Sequence, residues 1–273
     1  MSDPIITLTT DYGTQDHLVG TLKGVILKIN PDVKIVDLNH QVMPYDVLDG
    51  ALSIAAAYSY FPPRTIHVVV VDPGVGTERR PLLVSGAQHY FVAPDNGVLS
   101  LIYERESSLV VRHISATHYF LTPISNTFHG RDIFAPVAAW LSKAWQTAGF
   151  GDEVSDFVRL SLPKPQPANQ GIKGVILRID RFGNLMTNFK LDDLPKTMVS
   201  EGKIKLLVGN RQIRQLAPTY SEGTSDEPFA ILGSSGFLEV SVNKGNAARA
   251  LGVQRGAEVT LELGQPDIAI PPA

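Results

Sequence analysis

Thr65-Ile66-His67-Val68-Val69-Val70-Val71-Asp72-Pro73-Gly74-Val75-Gly76-Thr77-Glu78-Arg79 is the stretch from which the fold is read. Consecutive valines at 68–71 describe a strand buried on both faces, as in the middle of a parallel sheet. The strand delivers a carboxylate, Asp72, into a Pro-Gly-Val-Gly turn whose two glycines let the backbone approach a ligand closely. In open α/β sheets ligands sit beyond the carboxyl ends of the strands. Asp72, with Arg79 after it, is therefore the first candidate for chemistry. The plain alternative is a turn-initiating Asp and a surface Arg.

Upstream, residues 4–10 form a β-rich run that ends at Asp11. A helical pattern follows through Leu18, Val19, Leu22, Val25, Ile26 and Ile29, with Asp16 placed near its N-cap. Pro31-Asp32 breaks that helix before a strand at 33–38, and a second helix spans 46–60 until Pro62-Pro63 stops it. The valine strand is thus the third β element of a β-α-β-α-β run, which predicts a doubly wound, mostly parallel sheet. Downstream, 82–85 and 89–92 read as a hairpin and Asp95-Asn96-Gly97 as a turn. A short helix at 98–103 and a strand at 110–114 come next. Thr127-Phe128-His129-Gly130-Arg131-Asp132 then runs into a long helix with an apolar face.

Near residue 165 the pattern changes. Leu162-Pro163-Lys164-Pro165-Gln166-Pro167 reads as a stiff extended linker. Beyond it come short strands at 172–179, 185–188, 203–208, 230–232, 238–242 and 258–263, which suggest a small β-barrel or sandwich. The expected organisation is an N-terminal α/β domain over 1–162, a Pro-rich linker over 163–170 and a C-terminal β-barrel domain over 171–273.

The composition narrows the function. The chain has 273 residues, of which 44% are hydrophobic and 19% charged, values that suit an ordinary globular protein. A net charge of −3 gives no basis for a nucleic-acid or anionic-membrane partner. Without cysteine there is no disulfide, no thiolate nucleophile and no zinc-thiolate site. The N-terminus lacks a signal-peptide pattern, and no apolar run approaches the roughly 18 residues of a membrane span, so the expected location is cytoplasmic.

Polar clusters fall where strands or helices end: Asp11 with Asp16, Asp72 with Arg79, His129 with Arg131 and Asp132, and Asp180 with Asn184. Each also has a local reading. Asp16 suits an N-cap, His129 a cap or core position, Asp132 the start of a helix dipole and Tyr45 a loop closed onto the core. The P-loop, dinucleotide, zinc-protease and nucleophile-elbow motifs do not occur. A metal-dependent phosphohydrolase on Asp11, Asp16, Asp72, His129 and Asp132 stays open at this point.

Taken together the motifs are specific. Thr10–Asp16, Pro44–Val47, Val71–Arg79, Ala93–Gly97, Thr127–Asp132, Ile179–Asn184 and Gly233–Leu238 resemble, in order, those of the SAM hydroxide adenosyltransferases. These enzymes hydrolyse S-adenosyl-L-methionine (SAM) and are related to the fluorinating and chlorinating SAM enzymes. The resemblance implies attack of water or hydroxide on the ribose C5′, giving adenosine and L-methionine, with SAM as substrate and no cofactor. It places the family's catalytic set on Asp72, Arg79 and His129. It places substrate contacts on Asp11 (ribose hydroxyls), Tyr45 (beside the ribose), Asp16, Asp180 and Ser234 (methionine end) and Asn184 (adenine). Tyr220, Glu239 and Val242 are further members of that pocket. It also implies a homotrimer that holds SAM between one subunit's N-terminal domain and a neighbour's C-terminal domain. The halogenating relatives carry Tyr at position 72, Ser at 130 and Arg at 235, where this chain has Asp72, Gly130 and Ser235, and a long insertion after residues 82–85. Hydrolysis is accordingly preferred over halide transfer. A SAM- or adenosine-binding module with incidental turnover is the rival from a different class.

Overall fold

The computed structural model describes residues 3–169, 171–223 and 226–263, and the chain forms two compact units, Met1–Ser161 and Leu162–Ala273. The first unit contains, in order, β1 (Ile5–Thr10), α1 (Leu18–Ile29), β2 (Lys34–Asn39), α2 (Val47–Ala57), β3 (Ile66–Val70), β4 (Pro81–Ser85), β5 (Tyr90–Pro94), α3 (Ser100–Arg105), β6 (Val110–His113) and α4 (Ala135–Ala144). The sheet order is β2-β1-β3-β5-β4-β6. Strands β2, β1, β3 and β5 are parallel, and β4 runs antiparallel to both of its neighbours.

Val68, Val69, Val70 and Val71 are 0–1% exposed, as expected of a strand covered on both faces. In β1, Ile6 and Leu8 alternate with Thr7 and Thr9, and all four are fully buried. The Ile6/Leu8 face packs with Leu22 and Ile26 of α1 and with Val137, Ala138 and Leu141 of α4. Helix α2 contacts α3, β1 and β3.

Strand β2 lies on one side of β1 and β3 on the other. The chain therefore reverses its winding direction between β1 and β3, which is where open α/β sheets bind ligands. In the β1–β3 register Thr10 faces Val70. Asp11-Tyr12 and Val71-Asp72 consequently leave the sheet side by side.

The helix starts differ from one another. Asp46 caps α2 by accepting a hydrogen bond from Asp49 N at 3.0 Å. At α1 the N-cap position belongs to His17, which makes no side-chain cap, and Asp16 is exposed one residue upstream. The capping role expected of Asp16 is thus not filled. Helix α4 is entered through one π-helical turn, Gly130–Phe134, a local widening often associated with functional sites.

Between Gly151 and Ser161 the chain has almost no regular structure, yet it is fastened along its length. His113 N donates to Asp152 O at 2.9 Å and Val154 N to Val111 O at 2.9 Å. Val158 N donates to Asp95 Oδ1 at 2.7 Å and Leu160 N to Ser100 Oγ at 2.7 Å. Arg80 bridges the buried Asp95 carboxylate and Asp156.

The second unit contains β7 (Gln166–Ala168), β8 (Gly171–Ile179), β9 (Leu185–Lys190), α5 (Lys196–Glu201), β10 (Lys203–Val208), β11 (Arg211–Gln215), β12 (Phe229–Leu232), β13 (Phe237–Ser241), α6 (Ala247–Leu251) and β14 (Glu258–Glu262). The order β11-β10-β14-β8-β9-β13-β12 is antiparallel throughout. A parallel bridge from Leu216 to Ala230 brings the two ends of the path together as a barrel-like sheet. Along β10, Ile204, Leu206 and Val208 point inward while Lys203, Lys205 and Leu207 point outward. Residues 166–168, read from the sequence as linker, pair with β8, a position an edge strand grants to Pro167 because its missing N–H is not needed there.

One buried group ties the first unit to pH. His67 in β3 is fully buried, and its Nδ1 lies 2.7 Å from Thr7 Oγ1. Around it stand Phe61, Phe91, Tyr58 and His89, and Tyr58 in turn donates to Glu106. Burial, with the His89 ring beside it, pushes His67 down to about 3. The unfolded chain therefore binds a proton below pH ~6.5 that the folded chain refuses, and stability is lost as pH falls toward 3. At pH 5 this amounts to about 2 kcal/mol. Unfolding free energies from urea titrations at pH 5 and 7 are expected to differ by that amount, and His67→Phe is expected to flatten the difference. An unchanged slope in the variant would locate the acid sensitivity elsewhere.

Candidate active site

At the end of β3, Asn96 Nδ2 holds the Val71 carbonyl at 2.8 Å, and Val75 N closes a turn on the Asp72 carbonyl at 3.2 Å. The Asp72 side chain is 5% exposed and that of Arg79 is 9% exposed. The guanidinium grips the carboxylate with both edges of its fork: Nε donates to Oδ1 at 2.9 Å and Nη2 donates to Oδ2. The same Nη2 reaches His129 Nδ1 at 2.7 Å.

A guanidinium carries only N–H donors, so His129 Nδ1 accepts, and the neutral ring holds its proton on Nε2. The electrostatics agree. Burial, and then the Arg79 charge, pull the His129 pKa below its ordinary value, with Asp72 acting in the opposite direction. Arg79 also lies over the Phe134 ring, 5.2 Å from its centroid. Its Nη1 is buried and has no hydrogen-bond partner among the described residues.

Two devices bring His129 to Arg79. Gly76 has φ +80°, and a Cβ there would lie 2.1 Å from Asn126 O. Only glycine lets the 73–79 turn rest on the 125–129 segment. At Gly76 the close approach read for this turn is made to the Asn126 backbone. The second device is the buried Asp132 carboxylate, which accepts from Ser125 N at 2.8 Å and from Arg131 Nε at 2.7 Å, closing the 125–132 loop on itself.

Beside this set, Asp11 Oδ2 accepts from Tyr45 N at 2.9 Å. Burial raises the Asp11 pKa; the Tyr45 bond opposes that rise and the Asp72 charge adds to it. Tyr45 has φ +66° and is 75% exposed. Asp16 is exposed and makes no hydrogen bond or ion pair with a described residue. The carboxylates offered to a metal in the phosphohydrolase reading are otherwise engaged, Asp72 by Arg79 and Asp132 by Arg131. Among the described residues no group of three or more His, Asp or Glu side chains is arranged to hold a metal ion.

In the second unit a cavity of about 570 Å³ is lined by Asp180, Phe182, Asn184, Tyr220, Val242 and Asn243, among others. Asp180 organises the β8–β9 turn: Oδ1 accepts from Phe182 N and Asn184 N at 2.9 and 2.8 Å, and Oδ2 from Asn184 Nδ2 at 2.8 Å. The Asn184 amide is thereby fixed with its oxygen left to accept. Tyr220 donates to Glu239 Oε2 at 3.2 Å. Burial and that carboxylate push the Tyr220 phenol up to about 12, and burial raises Glu239 as well. Ser234 is exposed in the turn before β13 and does not line the cavity; the neighbouring Ser235 Oγ is buried without a partner among the described residues. The sequence reading did not single out Phe182 or Asn243 as lining residues, although Phe182 lies within the Asp180–Asn184 motif itself.

Comparison with known proteins covers both units. The SAM hydroxide adenosyltransferase N-terminal domain matches residues 6–151, and the corresponding C-terminal domain matches residues 174–260. An (R)-S-adenosyl-L-methionine hydrolase of Salinispora tropica is 34% identical over 96% of this chain and 98% of its own length. A fluorinase of Actinoplanes is 30% identical over 95% of this chain and 97% of its own. The crystal structure of a conserved protein from Thermotoga maritima superposes with a TM-score of 0.88 at 36% identity, covering 94% of this chain and 100% of that one.

Proposed function

We infer the reaction from the premise that this chain belongs to the SAM hydroxide adenosyltransferase family through both of its domains: it is a hydrolase that converts SAM and water to adenosine and L-methionine. Full-length likeness to hydrolases from several organisms supports this. The observation that carries the residue roles is the bridge Arg79 makes between Asp72 and His129.

The bridge leaves one proton acceptor. His129 spends its basic nitrogen on Arg79, whereas each Asp72 oxygen retains a further lone pair beyond the one given to the guanidinium. Asp72 accepts a hydrogen bond from the attacking water and then its proton. The water oxygen bonds to C5′, the C5′–S bond breaks with its electron pair passing to sulfur, and methionine leaves as a neutral thioether. Arg79 and His129 keep the carboxylate in place. Nucleophile and sulfonium lose charge separation as they meet, so a buried setting with little water favours the transition state. Holding the nucleophile in line contributes several kcal/mol more, with an upper range of about 7–11. An anionic Asp72 repels a halide ion, which sets this site apart from halogenation.

The substrate groups proposed from the resemblance are Asp11 and Tyr45 at the ribose, Asp16, Asp180 and Ser234 at the methionine end, Asn184 at adenine, and Tyr220, Glu239 and Val242 completing that pocket. Convergence of Asp180, Asn184, Tyr220 and Val242 on one cavity supports part of this set; Asp16 and Ser234 rest on the resemblance alone. The same resemblance supports a homotrimer with SAM held between the N-terminal domain of one subunit and the C-terminal domain of the next. A cytoplasmic location is proposed with it; among the described residues no helix is long and apolar enough to cross a membrane.

The test is incubation with SAM in ¹⁸O-labelled water with EDTA present, followed by mass spectrometry. Label on the adenosine 5′ oxygen is expected. Intact SAM co-eluting with the protein would instead make it a binding module, and dependence on added magnesium would revive the metal reading.

A further inference from the structure

We propose that the Tyr12 hydroxyl is a second polar group on the attacking water, beside Asp72, and that residue 130 is a glycine because this hydroxyl fills the space a side chain would need. The proposal rests on the hydrolase reading above and extends it to a residue outside the Asp–Arg–His set.

The geometry comes from both sides of the switch point. Tyr12 follows Asp11 at the end of β1, and Gly130 follows His129 at the start of the π-helical turn. A Cβ built on Gly130 would lie 2.4 Å from Tyr12 Oη and 3.4 Å from Tyr12 Cζ, with Leu22 Cδ1 at 3.5 Å. The phenol oxygen is therefore pressed against the backbone that carries His129. No other atom crowds that Cβ as closely, so the hydroxyl is what forbids a side chain at 130.

The rest of the ring is held. It packs against the core and meets Phe128 edge-on at 5.9 Å between centroids. Its hydroxyl, by contrast, makes no hydrogen bond with any described residue, although a phenol both donates and accepts. The hydroxyl also stays protonated. Burial, followed by the negative charges of Asp11 and Asp72, raises its pKa well above the ordinary value against the opposing charge of Arg79. A donor with no hydrogen-bond partner among the described residues thus leaves the end of β1 at the same sheet edge where Asp72, an acceptor, leaves β3, two residues beyond the Thr10–Val70 pair.

That pairing suits a nucleophilic water. The water donates one hydrogen to Asp72 and accepts one hydrogen bond from Tyr12, so two directions are fixed and one lone pair is left to face C5′. Without the phenol the water pivots on Asp72 alone. A donor on the oxygen also favours the hydroxide that forms as Asp72 draws off the proton.

The experiment compares wild type, Tyr12→Phe, Gly130→Ala and the double variant for kcat, KM and the pH profile of SAM hydrolysis. Tyr12→Phe removes one oxygen and keeps the ring, so its fold is expected to be intact by circular dichroism. Its kcat is expected to drop by about 10²-fold, as for the loss of one fixed donor, with KM little changed. The acidic limb of its pH profile is expected to move to higher pH, which a merely structural role would not cause. In Gly130→Ala the methyl group displaces the hydroxyl and a similar drop is expected. The double variant is expected to be no worse than Tyr12→Phe, because without the hydroxyl the ring leaves room for a methyl. An active wild type with unchanged kcat and pH profile in Tyr12→Phe would overturn this assignment alone. A wild type that leaves SAM intact would overturn the hydrolase reading, and this assignment with it.

Discussion

Asp72→Asn is expected to reduce kcat for SAM hydrolysis by about 10²–10⁴-fold, the range for removing a positioned general base, while SAM still binds. The amide has no basic oxygen to take the proton of the attacking water. It also matches Arg79 badly. The guanidinium directs two donors at this side chain, and an amide offers one acceptor and one NH₂ group, which faces a donor it cannot accept from. Some loosening of Arg79, and through it of His129, is therefore expected alongside the chemical defect. Single-turnover measurement of adenosine formation in the quenched reaction separates the chemical step from slow product dissociation, and titration calorimetry with SAM reports binding. A variant whose kcat stays within tenfold of wild type would show that the proton goes elsewhere.

Arg79→Met is expected to damage stability as well as turnover. Asp72 is almost fully buried, and Arg79 supplies the donors to both of its oxygens and to His129 Nδ1. Removing one partner of a buried ion pair leaves an uncompensated charge and costs about 3–5 kcal/mol. Methionine retains the packing against Phe134, so the loss reports on charge and hydrogen bonding rather than on a cavity. Arg79→Lys is expected to recover part of the stability but not the turnover, since one ammonium cannot span two oxygens and an imidazole at once. Urea denaturation with paired activity assays decides the matter. A Met variant as stable as wild type would mean that Asp72 is already neutral or solvated.

Much of this was legible in the sequence because the signals were strong and local. The four valines at 68–71 permit only a strand with both faces covered, and the β-α-β-α-β spacing then forces a parallel sheet. The juxtaposition of Asp11 with Asp72 follows from sheet order, which the sequence does not state but the alternation implies. Other features escaped for physical reasons. Strand β11 is Arg-Gln-Ile-Arg-Gln with Ile213 as its only buried residue, so no alternation is visible. Helix α5 has no fully buried residue and packs only a half-buried Met198 against the core, so it leaves no apolar stripe to find. The contact of Gly76 with Asn126 joins two loops fifty residues apart, and a glycine needed for such an approach looks like any turn glycine. Tyr12 was hidden for a related reason: beside an acid at a strand end, an aromatic reads as packing until its oxygen is seen against Gly130. Asp16 failed in the opposite direction. Its position before an apolar helix looks like a cap, but the helix starts one residue later than that reading needs.

The irregular segment from Gly151 to Ser161 has a consequence for where the first unit ends as a folding body. Judged by regular structure the unit is finished by Phe150. Judged by hydrogen bonds it is not, because the following ten residues supply the N–H groups for Asp95 Oδ1 and Ser100 Oγ and the carboxylate that shares Arg80. A chain cut after Phe150 would leave the buried Asp95 leaning on Arg80 alone, and Leu160 would no longer cover Gly97. On the ribosome, then, the first unit cannot settle until residue 160 has emerged. In native-state amide exchange, the amides of Val158 and Leu160 should open together with β5 and α3 rather than fray as a tail.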